Sequence, residues 1–411
     1  MSKERVIDVP PPYTVVGRHD MMAEASHDET ARFNFLANMN KHIAATLGAG
    51  NKLAYDTRVL PAFEKANGRQ PKSRHEIRKA MMQDPFHRLW SAMRRNTMEQ
   101  RQQAGRSMVL RQIDDLIAKA KTYNDGAETL QLDDGVALPG YVAGVDHHCM
   151  PGSYHTELVD DDVSAGANYD AGLFVTTGGA LGAYADGGGQ AVVRWAQKEY
   201  PNWKPKRILD IGCTVGHNAV PLAQAYPDAE VIAIDVAKPV LRYAHARAKA
   251  LGINNITFIQ ASAEDLSRFE GESFDWVQTT MFLHETSNVS MRRMMKEFRR
   301  VMKPNGLMLH IEQPQYSDDM PLFEQFSRDW DAFNNNEPFW SKLHELDLDD
   351  VFAGAGFSHN ECFHTGVRAW ADPEIFPPSK TGDAEDHGRA AVWHALGAWK
   401  GGAPVEEQEA A

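Results

Sequence analysis

Two acidic residues, Asp210 and Asp235, fall at the ends of neighbouring apolar runs, beside a loop carrying Gly212 and Gly216. A histidine–glutamate pair, His284-Glu285, follows a third run. Each type suits a different task. A carboxylate just before a glycine loop repels phosphate and suits a cation or a ligand ammonium. A carboxylate at the next strand end is where doubly wound sheets hold ribose hydroxyls. A histidine titrates near neutrality and can take up a proton, with an adjacent carboxylate to orient or charge it. The spacing Gly212-x-x-x-Gly216 is not the G-x-G-x-x-G of a dinucleotide loop.

The elements that position these residues read as α/β. The run Ile208, Leu209, Ile211 is too short for a helix and breaks at Gly212, before a helix over 218–226, which gives strand, tight turn, helix. Further strands are predicted over 231–234, 256–260, 274–279 and 307–313, with helices over 189–200, 240–251 and 291–302. An antiparallel pair over 356–364 and 390–399 closes the set.

Upstream, residues 1–27 are polar and proline-marked and read as a flexible arm. A helical domain is expected over 28–123. Its first helix starts with Asp28 as N-cap and ends at Gly48–Gly50, and others follow near 53–66, 73–82, 86–103 and 107–122. Residues 124–190 are rich in Gly, Asp and His and read as a connecting and lid segment. In it His147, His148, Cys149 and His155 match no standard zinc spacing, so no metal is expected. His148, His155 and Tyr169 are taken instead as substrate contacts, together with His310 and Glu312 on the fifth strand. Residues 317–350 carry Phe323, Phe326, Trp330, Phe333, Phe339 and Trp340 and read as a helical cover over a substrate pocket. Residues 371–388 read as an insertion and 401–411 as a disordered tail.

The chain has 411 residues, with 43 Lys+Arg against 56 Asp+Glu. Residues 1–140 hold 21 Lys+Arg against 17 Asp+Glu, and the rest 22 against 39, so the half with the glycine loop is strongly acidic. That weighs against nucleic acid as a partner. One basic stretch, Lys65 to Arg111, reads as a helix face packed near the acidic half. Through Lys72, Arg74 and Arg78 it also hints at an anionic substrate. Three dispersed cysteines, no apolar N-terminal run and no stretch of membrane-spanning length predict a cytoplasmic protein with no membrane partner.

Several ordered motifs between residues 206 and 313 carry a resemblance. These are Leu209-Asp210-Ile211-Gly212-Cys213-Thr214-Val215-Gly216, Ile234-Asp235, Ala263-Glu264-Asp265-Leu266, Phe274-Asp275-Trp276-Val277 and Arg299 to Leu307. In this order they resemble a class I S-adenosylmethionine-dependent methyltransferase, closest in style to the ubiquinone/menaquinone-biosynthesis type and its small-molecule relatives. That family usually has glycine at the place of Val215, and two glycines where this chain has Asn305-Gly306.

The resemblance implies a Rossmann-like seven-stranded methyltransferase sheet over residues 191–400 and S-adenosyl-L-methionine as cofactor. Asp210, Gly212, Cys213, Gly216 and Asn218 would then line its methionine side. Asp235 and Val236 would meet the ribose, Ala263 and Glu264 the adenine, and Thr280 and Met281 the methyl-transfer edge, where His284 and Glu285 are the catalytic candidates. The expected reaction is methyl transfer to a small organic acceptor, at a hydroxyl or carboxylate oxygen. Carbon methylation of a quinone or polyketide-like ring, or binding without catalysis, are the alternatives. A homodimer is one arrangement the helical domain would allow.

Overall fold

Short apolar runs whose side chains alternate between two faces build the centre of the molecule. In the computed structural model, which describes residues 9–370 and 392–403, eight strands join in one sheet. They are β1 (Leu130–Gln131), β2 (Arg207–Ile211), β3 (Glu230–Asp235), β4 (Ile256–Gln260), β5 (Phe274–Thr280), β6 (Met302–Ile311), β7 (Cys362–Arg368) and β8 (Val392–Trp399). Their order is β1-β4-β3-β2-β5-β6-β8-β7. All pairs from β1 to β6 are parallel, and β8 runs antiparallel to both β6 and β7. The fold is Rossmann-like α/β, as expected, with one strand more than the seven foreseen. The addition is β1, two residues from the lid segment that hydrogen-bond along β4.

The two faces follow from the period of two. Ile208, Val231 and Ala233 pack with Ala219, Leu222 and Leu241. Leu209, Ile211, Ile232 and Ile234 share the opposite layer with Met291, Met294, Phe298, Leu348 and Phe352. Side chains at the carboxyl ends of β2, β3 and β5 are therefore held between two dry layers, while the loops that follow are left to bind.

The first helix differs from its expectation in both ends. Ser26, not Asp28, is the N-cap: its hydroxyl accepts from the Glu29 amide, and the Glu29 carboxylate accepts from the Ser26 amide at 2.8 Å. Nor does Gly48–Gly50 end it. The chain stays helical from His27–His42 through Gly48–Ala54 to Leu60–Asn67, with π-helical turns at Ile43–Leu47 and Tyr55–Val59, and stops at Gly68. A β-carbon built on Gly50 would lie 2.5 Å from the Phe86 ring. The glycine permits helix contact there, which offsets its poor helix propensity of about 1 kcal/mol.

The remaining helices before the sheet are Arg74–Met81, Pro85–Leu110 and Ile113–Asn124. They do not close on a core of their own. Phe33, Leu36, Met108 and Val109 pack with Phe174 and Val175 of the helix Ser164–Thr177, with Tyr243, and with Val215 of the glycine loop. The arm expected over 1–27 is likewise packed from Tyr13 on, with Tyr13, Met21 and Met22 buried in that same cluster. Residues 1–8, the insertion expected over 371–388 and all but the first three residues of the expected tail lie outside the described residues.

The uneven charge has a structural counterpart. Arg74 pairs with Asp329 at 2.5 Å and with Glu345, Arg94 pairs with Asp331 at 3.1 Å, Arg95 donates to the Asn334 carbonyl at 2.6 Å, and the Arg78 guanidinium lies 3.6 Å from the centre of the Phe333 ring. The basic stretch of the N-terminal helices thus grips the acidic, aromatic segment 317–350. Two of the three cations that suggested an anionic substrate are spent on this contact. Among the described residues no helix is long and apolar enough to cross a membrane.

Candidate active site

The loop after β2 is wound tightly. Gly212 (φ 69°), Thr214 (φ 47°) and Gly216 (φ 81°) all have left-handed backbone. The non-glycine residue under strain is therefore Thr214, and Val215, expected at a glycine position, is instead an ordinary buried residue of the core. The amides of Gly212 and Cys213 both donate to the Ile234 carbonyl at 3.0 Å. Asp235 braces the turn, accepting from the Thr214 amide at 3.1 Å and the Ala237 amide at 3.0 Å. Phe282, beyond β5, lies against Gly212 so closely that a β-carbon there would come within 2.4 Å of its ring.

Asp210 is 1% exposed, and neither carboxylate oxygen meets a hydrogen-bond donor among the described residues. Burial, and then the neighbouring Asp235, push its pKa up to about 8. Further along the edge, the Gln260 side chain donates to the Val236 carbonyl at 3.2 Å. Ala263 is buried, and Glu264 faces Arg293 at 3.3 Å. Met281 turns the chain out of β5 with φ 51°.

That turn leads into a cluster of imidazoles and carboxylates. His284 Nδ1 contacts Glu312 Oε1 at 2.6 Å, and Glu312 Oε2 accepts from the Leu283 and His284 amides at 2.8 and 3.3 Å. His284 Nε2 then faces Glu285 at 3.6 Å and Glu337 at 3.9 Å. From the lid segment, His148 brings its Nε2 to 3.0 Å from Glu285 and 3.5 Å from Glu337, while its Nδ1 meets the Tyr154 hydroxyl at 2.5 Å. Burial opposes charge on His284, but Glu312 and Glu285 overcome it and hold the pKa well above that of free histidine. Burial likewise opposes ionisation of Glu285, and His148 and His284 reverse the balance. For Glu337 burial prevails over His148, and the pKa is raised.

A stack of rings joins this cluster to the glycine loop. His217, next to Gly216, stacks on Tyr169 (5.7 Å between centroids), Tyr169 meets Tyr154 edge-on (5.5 Å), and Tyr154 meets His148 (5.9 Å). Beneath it, Asp170 takes His217, His19, Tyr243 and Arg247 as partners.

Residues 208–306 match a family model described as a methyltransferase domain. The uncharacterized methyltransferase YcgJ of Bacillus subtilis (strain 168) is 28% identical over 167 residues, which are 41% of this chain and 61% of that protein. A demethylmenaquinone methyltransferase of Geobacillus kaustophilus is 33% identical over 113 residues, 27% of this chain and 47% of that protein. An uncharacterized methyltransferase of Synechocystis sp. is 34% identical over 162 residues, 37% of this chain and 67% of that protein. The chain belongs to the class I S-adenosylmethionine-dependent methyltransferases. Its matches span about half to two thirds of the length of these relatives, and the cofactor of the family is S-adenosylmethionine.

The methyltransferase's own residues fit that cofactor. A sulfonium and an ammonium suit a buried carboxylate that has no hydrogen-bond donor in the protein, and the left-handed glycine loop leaves no room for side chains at Gly212. With that cation beside Asp210, binding would depend on pH. In the free protein Asp210 holds its proton up to about pH 8, and a cation beside it favours the ionised form, so binding expels a proton below that pH. Affinity for S-adenosylmethionine should rise as pH goes from 6 to 8, by at most about tenfold per unit, and then level off. Calorimetry in buffers of different ionisation enthalpy would register the released proton at pH 7, and an Asp210→Asn variant should show neither the slope nor the proton.

Of the residues foreseen for the methyltransferase site, Asp210, Gly212, Gly216, Asn218 and Asp235 gather around the loop after β2, with Val236, Ala263, Glu264, Thr280 and Met281 on the loops and strand ends beside it. Cys213 is buried, with its thiol pushed well up by burial, and belongs to the core. His284, Glu285 and His148 are brought together, and Tyr169 stands between them and the glycine loop. His155 lies near His147 at the margin of the cluster.

Two expectations are corrected. His310 is fully buried between Phe298 and Phe352, with Nδ1 on the Thr279 hydroxyl at 2.6 Å, so it packs rather than contacts substrate. Glu312 is occupied by His284 and two amides, which makes it a positioning residue. Glu337, Tyr154, His217 and Asp170 were not foreseen. His217 follows Gly216 directly and Asp170 follows Tyr169, which are faint local signals, whereas Glu337 sits in a segment without any motif.

Proposed function

We propose that this methyltransferase methylates an oxygen of a small organic molecule at the carboxyl edge of β5. The reading rests on one observation: a set of imidazoles and carboxylates, His284 and Glu337 buried and His148 and Glu285 half-buried, stands at that edge and is linked by ring contacts to the glycine loop. S-adenosylmethionine supplies a methyl group already activated on a sulfonium. What the protein must add is alignment, exclusion of water and a destination for the acceptor's proton when there is one.

His284 and Glu285 are the residues assigned to that task. Glu312 fixes the ring through Nδ1, so that Nε2 is the atom presented to the acceptor, and Glu285 holds the charge balance beside it. Trp340, 4.7 Å from the His284 ring, covers one side of it. For a hydroxyl acceptor the neutral form of His284, the minor one beside Glu312 and Glu285, takes the proton; for a carboxylate the charged ring only orients.

His284→Gln and Glu285→Gln should each lower kcat about 10²- to 10⁴-fold on a hydroxyl acceptor and leave S-adenosylhomocysteine affinity within about threefold. The acceptor would be found by turnover on a metabolite panel read by product mass. A kcat equal to the parent's in both variants would remove the assignment. A second reading, carbon methylation of a quinone-like ring, is favoured by the resemblance to demethylmenaquinone methyltransferases. Fragmentation of the product separates the two.

A further inference from the structure

We propose that His148, Glu285 and Glu337 form a binding site, beside His284, for one first-row divalent metal ion such as Zn²⁺, Mn²⁺ or Fe²⁺. One atom each from His148, Glu285 and Glu337 lies within 4.8 Å of the others. Donors bound at about 2.0–2.2 Å to one ion sit roughly 3–4.2 Å apart. The two separations from His148 Nε2, 3.0 Å to Glu285 and 3.5 Å to Glu337, fall in that band. The second exceeds the roughly 3.2 Å reach of a good N–H···O bond, so hydrogen bonding accounts for only one of the two contacts.

Two further observations point inward. Glu337 is 2% exposed, and its Oε2 is buried without a hydrogen-bond partner among the described residues; Glu285 Oε2 likewise has none and lies 3.6 Å from His147 Nε2. Such orphaned atoms are costly unless something else meets them. The His148 imidazole is also set as a ligand is. It uses Nδ1 on the Tyr154 hydroxyl and aims Nε2 at the two carboxylates. An outer carboxylate or hydroxyl that fixes the ring is the usual support of a metal-bound histidine. Asn335 does the same for Glu337, donating to its Oε1. Mixed imidazole and carboxylate donors suit borderline and harder ions over thiophilic ones.

The donors come from three separate segments, around residues 148, 284 and 337, which is why no spacing in the chain signals the site. Cys149 faces the Asn334 carbonyl and the Asn335 side chain instead. The ion's role rests on the oxygen-methylation reading: an open position on it would hold the acceptor oxygen. Its binding does not depend on that reading.

The test uses full-length, tag-free protein, stripped with chelator, titrated with Zn²⁺ and separately with Co²⁺. The parent should take up about one equivalent of Zn²⁺, and Co²⁺ should give the visible bands of a four- or five-coordinate nitrogen–oxygen site. His148→Gln and Glu337→Gln should each weaken Zn²⁺ binding at least about 100-fold with S-adenosylhomocysteine affinity retained. If Glu337→Gln fails to fold, His148→Gln, at a half-buried position, carries the comparison alone. A parent that binds less than about a tenth of an equivalent, or a folded variant that binds as tightly as the parent, overturns the metal site. S-adenosylhomocysteine titrated into the same samples shows separately whether the methyltransferase reading stands.

Discussion

Replacing Asp170 by Asn should lower the unfolding free energy by about 3–5 kcal/mol, the amount lost when one partner of a buried ion pair is removed. Asp170 is 3% exposed and serves four partners: Arg247 Nε at 3.2 Å, His217 Nε2 at 2.8 Å, His19 Nε2 at 3.0 Å and the Tyr243 hydroxyl at 2.8 Å. Burial opposes its charge, but Arg247 and the two histidines hold its pKa well below that of a free carboxyl. An amide keeps the shape, offers one acceptor oxygen in place of two, and leaves the 1%-exposed Arg247 guanidinium without a counter-charge.

Because the folded-state pKa is depressed, this stabilisation is complete above the unfolded carboxyl pKa of about 3.9 and fades as pH falls below it. Urea unfolding at pH 7 measures the loss, and Asp160→Asn, at an exposed site, should change stability by no more than about 0.5 kcal/mol. A loss under about 1 kcal/mol for Asp170→Asn would mean that the buried hub is not what ties the N-terminal segment, the lid helix and the glycine loop together.

The second large effect is expected at Gly212. A valine there needs left-handed backbone, at a cost of about 1–3 kcal/mol, and its β-carbon would overlap the Phe282 ring, 2.4 Å away. The loop can escape only by moving off the Ile234 carbonyl and off Asp235. Affinity for S-adenosylhomocysteine should fall at least about 100-fold, equivalent to roughly 2.7 kcal/mol. Gly252→Val is the matched control, since Gly252 has φ 78° but a β-carbon there would meet nothing within 4 Å. It should lose stability and keep its affinity. Equal affinity in parent and Gly212→Val, read by calorimetry, would separate the loop from cofactor binding.

What the sequence disclosed divides by the range of the interactions involved. The β2 strand, its glycine loop and Asp235 were legible because each is a local pattern: an apolar run, a break and an acid at a strand end. Gly48–Gly50 misled for the opposite reason. Its cost to a helix is local and visible, whereas the Phe86 contact that makes the glycine useful comes from far along the chain. β1 is two residues long, too short to have a period. Tyr13, Met21 and Met22 were hidden in a stretch whose prolines and charges read as an arm.

The charge imbalance was visible as composition, and the pairing of Arg74 and Arg94 with Asp329, Asp331 and Glu345 supplies its meaning. The cluster at the edge of β5 was half legible. His284 and Glu285 stood at a strand end, His148 in a patterned lid, but only tertiary contact shows that Glu337 completes them and that His310 does not belong.

The claim on which the rest depends is that the acids ending β2 and β3 grip one S-adenosyl nucleoside. Calorimetric titration of the full chain and of a folded Asp235→Ala variant with S-adenosylhomocysteine tests it most directly. The account predicts one site in the parent and affinity at least about tenfold weaker in the variant, a difference of roughly 1.4 kcal/mol. No binding by the parent, or equal affinity in the two proteins, would contradict it.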